Sequence, residues 1–102
     1  MKSNVKPGYV VGVDDNFHYR DQDASWTRGR FDDVEAAVAA SRQIVDRWLE
    51  EAYEPGMTAD ALLRSYKMFG EDPFVVAVGG APPCKFSAWE YARERAAEIV
   101  RP

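Results

Sequence analysis

Nine small or apolar residues, Val34, Ala37, Val38, Ser41, Ile44, Val45, Trp48, Leu49 and Ala52, recur at three- and four-residue intervals within FDDVEAAVAASRQIVDRWLEEAYEPG. That period gathers them on one face of an α-helix, and such a stripe needs a second layer to cover it. Asp32 is the expected N-cap with Glu35 at the third helical position, a capping-box arrangement. Pro55-Gly56 ends the helix. Arg42, Asp46, Arg47, Glu50 and Glu51 lie opposite the stripe and read as a solvated face with pairs such as Arg42–Asp46 and Arg47–Glu51.

The covering layer is expected from period-two segments. In GYVVGVDD, Tyr9, Val11 and Val13 share one side and Val10, Gly12 and Asp14 the other. SWTRGRF is a shorter second strand with Gly29 as a possible bulge, and RDQDAS supplies turn chemistry between the two. A second helix starts at Thr58, with Met57 stapling to Leu62 and Gly70 suited to a left-handed C-terminal turn. FVVAV (74–78), bounded by Asp72-Pro73 and Gly79-Gly80, reads as a buried third strand with Phe74, Val76 and Val78 toward the helices. The third helix has Ser87 as N-cap, Phe86 stapled on Tyr91, and an inward stripe of Trp89, Ala92, Ala96, Ile99 and Val100.

The order β-β-α-α-β-α does not alternate regularly, so the expected class is α+β: a three-stranded sheet with helices mainly on one face. The 102 residues suit a single domain, 1–102, with residues 1–7 as a flexible tail. Seventeen acids against thirteen lysines and arginines give a net charge of −4. That balance weighs against nucleic acid as a partner, since Arg20, Arg28 and Arg30 are interleaved with acids. MKSNVKPG has no apolar stretch behind its lysines, and FVVAV is far shorter than a membrane span. The expectation is a cytoplasmic protein that neither spans nor binds a membrane. A single cysteine, Cys84, permits no intrachain disulfide and no cysteine-rich zinc site.

The runs YVVGVDDNFHY, GRFDDVEAAVAASRQIVD, GMTADALL, FGEDPF and FSAWEYA together resemble a family of small uncharacterised bacterial proteins, over nearly the whole chain. The resemblance implies no activity, and hence no catalytic or binding residue.

Chemistry concentrates in VDDNFHYRDQD, where Asp14, Asp15, Asn16, His18, Asp21 and Asp23 stand close together. Asp14, Asn16 and His18 alternate like the early ligands of a calcium loop. Glycine is missing at the sixth position and glutamate at the twelfth, where Ser25 stands, so no metal and no cofactor are expected. A thiolate–imidazole pair of Cys84 and His18 lacks any surrounding nucleophile signature. Gly79-Gly80 lacks the Gly-Lys-Ser/Thr of a phosphate loop and reads as a turn. Tyr66 and Phe69, three apart, are expected on one helical face.

What remains is recognition. Asp14, Asp15, Phe17, His18 and Tyr19 combine charge with aromatic area and are the candidate binding residues, facing a basic patch on a protein partner. The uncovered sheet face, expected to carry Val10, Gly12, Val75 and Ala77, invites a homodimer. The expected function is a non-enzymatic accessory or interaction domain that self-associates. The alternative is a small enzyme or metal-dependent protein using the acidic loop and His18.

Overall fold

A computed structural model gives the fold, and the structure describes residues 6–15 and 26–101. The order is β1 (Gly8–Asp15), β2 (Trp26–Phe31), α1 (Val34–Ala52), α2 (Ala59–Phe69), β3 (Glu71–Val78) and α3 (Ala88–Val100). The strands form one antiparallel sheet in the order β2-β1-β3, so the class is α+β. Of the seven N-terminal residues expected as a tail, 1–5 lie outside the described residues. Lys6 and Pro7 lie within them, and their carbonyl oxygens accept from the Arg30 guanidinium.

Tyr9, Val11 and Val13 are buried against the helices, as their alternation predicts. The register pairs Tyr9 with Ala77, Val11 with Val75 and Val13 with Pro73. Directly opposed residues point to the same face, so Pro73, Val75 and Ala77 also turn inward. This inverts the expected parity of the third strand. Phe74 and Val76 face away from the helices and are 38% and 44% exposed. α1 packs on this inner face, with Ala37 in the sheet-side cluster and both Ala37 and Ser41 fully buried. The Ser41 hydroxyl is satisfied by donating to the Ala37 carbonyl at 2.9 Å.

The strand also begins earlier than FVVAV. Asp72 and Pro73, expected as its boundary, lie inside it. Proline is tolerated because β3 is an edge strand, where one row of amides has no ladder partner to lose. Gly29 is part of an irregularity: Val11 pairs with Gly29 and Gly12 with Thr27, which leaves Arg28 as an extra residue.

The helix starts are set by single side chains. Asp33, rather than Asp32, caps α1, its Oδ1 accepting from the amides of Glu35 (2.7 Å) and Ala36 (3.4 Å). The expected box with Glu35 therefore does not form, and Val34 in the first turn is exposed. Thr58 and Ser87 cap α2 and α3 as expected, accepting from Ala61 and Glu90. Phe86 and Tyr91 lie with ring centroids 6.3 Å apart, the expected staple. Gly70 is extended (φ −77°) and not left-handed. Its glycine is required for another reason: a Cβ there would lie 2.4 Å from the Tyr66 ring.

The core has two parts. Val45, Leu49, Leu62, Tyr66, Ala88, Ala92 and Ala96 close the space among the three helices. Each fully buried Leu or Val contributes about 1.5–3 kcal/mol. Tyr9, Val11 and Ala37 form the sheet-side part, which Ala81 and Cys84 of the 79–86 connection help to cover. Tyr9 holds that connection by donating its hydroxyl proton to the Pro82 carbonyl at 2.9 Å. Among the described residues, no helix is long and apolar enough to cross a membrane.

Candidate interaction surface

Because the helices pack on one side, the other side of the sheet is a surface built from β1 and β3. Val10, Gly12, Phe74, Val76 and Val78 form its apolar centre. Gly12 matters there. A Cβ at this position would lie 2.3 Å from Cζ of Phe74, so the ring lies directly over the glycine and fills its place. An aromatic laid across a glycine protects the backbone bonds beneath it.

Among the described side chains, the charged residues of this face stand at opposite corners. Arg30 pairs with Val10 and sits near the start of β1. Asp14 and Asp72 pair with each other near its end. Beside them an open groove of about 450 Å³ runs between β3 and the start of α3, lined by Asp72, Pro73, Phe74, Phe86, Ser87, Ala88 and Trp89. Trp89, expected on the inward stripe of α3, is 43% exposed. Its helix meets α1 and α2 through Ala88, Ala92 and Ala96, a seam too close for an indole. The ring turns instead toward the edge of β3, where it donates to the Asp72 carboxylate. Lys67 places its ammonium 5.4 Å from the same ring. Phe69, expected to share a face with Tyr66, is exposed while Tyr66 is buried.

Burial first, and then the neighbouring Asp14 carboxylate, push the Asp72 pKa up to about 6, with the Trp89 bond acting the other way. A carboxyl raised above its unfolded value stabilises the fold most when protonated. That contribution is fully present below pH about 4 and is lost as pH rises through 6. In solution dilute enough to keep the chains apart, Asp72→Asn should therefore raise the melting temperature at pH 7.5 and have no effect at pH 3.5. The full rise is equivalent to about 3 kcal/mol, and solvent screening at this part-exposed carboxyl reduces it to on the order of 1 kcal/mol. A variant that melts below the parent at pH 7.5 would contradict this.

Of the residues singled out in the sequence, Asp14 lies on the outer face beside Asp72. The backbone of Asp15 pairs with that of Glu71. Phe17, His18 and Tyr19 lie outside the described residues, as does any pairing of His18 with Cys84. Cys84 itself is half-buried in the sheet-side core. Among the described residues, no three His, Cys, Asp or Glu side chains are grouped to hold a metal ion. Sequence reasoning missed Asp72, Phe74, Trp89 and the place of Arg30. The available signal was Asp72 itself, two positions before Phe74 and hence on the same side of the strand.

No family model, no curated protein and no solved structure matches the chain.

Proposed function

We propose that this chain is a self-associating interaction domain and that two copies pack through the outer face of the sheet. The observation that carries the reading is Phe74 and Val76, large apolar side chains of β3 more than a third exposed on the outer face of the sheet. Water contact with such a cluster is unfavourable by about 25 cal/mol for each Å² of apolar surface, and a second copy removes it. A two-fold pair is the simplest closed solution, because one patch then serves both partners. The role follows from that surface: an accessory protein whose folded form presents the described helices outward while the sheets meet.

Association that involves only folded chains stabilises them by mass action. The midpoint of thermal unfolding should therefore rise over a hundredfold increase in protein concentration. A midpoint independent of concentration over that range would contradict the proposal.

A further inference from the structure

We propose that the groove between β3 and α3 receives Arg30 of a second copy, so that the outer face is complementary to itself. The inference rests on the self-association reading and adds its geometry.

Arg30 stands opposite Val10 on β2 and Asp72 opposite Asp14 on β3. They are thus four residues apart along the sheet and two strands apart across it, roughly 13 Å by 10 Å. The apolar residues Val10, Gly12, Phe74 and Val76 lie between them. A two-fold axis lying between two such faces, crossing the apolar centre at right angles to the line from Arg30 to Asp72, exchanges the corners. Each arginine is then brought to the other copy's Asp72, and the valines and phenylalanines meet in the middle. A face with both corners acidic would instead repel its own copy under the same operation.

The groove suits an arginine in particular. Asp72 offers a carboxylate, and Phe74, Phe86 and Trp89 offer aromatic surface around it. A guanidinium is planar, binds a carboxylate through two parallel bonds and stacks on rings. The Trp89 ring already carries a cation, the Lys67 ammonium 5.4 Å from its centroid, so the guanidinium is offered chiefly the Asp72 carboxylate and the Phe74 and Phe86 rings. Asp14 adds a second negative charge beside Asp72. Arg30 is exposed and lies along the outer face near Gly8, where one of its terminal nitrogens donates to the carbonyls of Lys6 and Pro7. Its five N–H donors leave others to offer across an interface.

Charge exchange tests this directly. Arg30→Glu places an acid against Asp72 of the other copy, and Asp72→Lys places a base against Arg30. Each variant alone should dimerise at least tenfold more weakly than the parent in sedimentation equilibrium. An equimolar mixture of the two should recover the parent's affinity within a few-fold. In that heterodimer the two introduced charges, opposite in sign, meet at one corner, and the other corner keeps the original pair. The double variant Arg30→Glu/Asp72→Lys should recover in the same way. Should Asp72→Lys lose its far-ultraviolet dichroism, Arg30→Gln and Asp72→Asn replace the swaps, and their effects should be non-additive. A parent that dimerises while swaps leave affinity unchanged, or while mixing restores nothing, overturns this inference and leaves the face reading standing. A monomeric parent overturns both.

Discussion

Tyr66→Ala should unfold the protein at ordinary growth temperatures, or lower its melting temperature by about 15 °C or more. Among the described residues Tyr66 is the largest fully buried side chain, and it lies among Val45, Leu49, Leu62 and the alanines of α3. Trp48 meets its ring edge-on at a centroid distance of 5.6 Å. Its hydroxyl donates to the Glu71 carbonyl at 2.8 Å and so ties the end of α2 to the start of β3. Burial, with Asp72 and Glu71 nearby, raises its pKa well beyond the ordinary tyrosine value, so the hydroxyl stays a donor throughout the working pH range. Truncating a ring of this size in a packed core costs about 3–5 kcal/mol, a large share of a small domain's 5–15 kcal/mol. Each kcal/mol is worth about 4–8 °C for domains near this length. Tyr66→Phe, which removes only the hydroxyl, should cost about 1 kcal/mol. Thermal unfolding followed by circular dichroism separates the two. An Ala variant that melts within a few degrees of the parent would mean that the helix cluster is not the core.

Val76→Glu should abolish association while leaving the fold intact. The side chain is 44% exposed in the single chain, so an acid there keeps its water and costs the monomer little. At a two-fold interface the substitution occurs twice, near the apolar centre, and each carboxylate would lose water without gaining a partner. Even ~1.4 kcal/mol per copy raises the dissociation constant a hundredfold, since each such step is tenfold. Val34 supplies the control. It is exposed on the first turn of α1, away from the sheet's outer face, and Val34→Glu should leave association unchanged. Equal effects from both substitutions would remove the outer face from the account.

The sheet is legible in the sequence where neighbouring positions differ in polarity. Tyr9, Val11 and Val13 alternate with Val10, Gly12 and Asp14, and that contrast assigns the faces of β1 correctly. FVVAV has no such contrast, because every residue is apolar and either phase satisfies the pattern. Only the pairing of Val11 with Val75 decides it, and register with a distant strand is a tertiary fact. Phe74, expected inward with Val76 and Val78, instead lays its ring over Gly12.

The caps show the same division. Ser and Thr capping positions are unambiguous in GMTADALL and FSAWEYA, but Asp32 and Asp33 are chemically equal candidates separated by one residue. Asp33, extended at φ −128° and ψ 140°, is the one that caps. In the candidate site, Asp14 is legible as a charge near the end of a strand. Its partner Asp72 is not, because an Asp-Pro pair reads as a turn wherever an edge strand is not suspected. Trp89 falls on the right helix at the right period, yet the alanine seam beneath it leaves no room for an indole.

The most direct measurement is sedimentation equilibrium of the unaltered chain from 1 to 500 µM (roughly the range that separates weak from stable pairs). The sheet-face account predicts a mass rising to about 23 kDa, twice the 11.5 kDa of the chain. A mass that stays at 11.5 kDa throughout would contradict it.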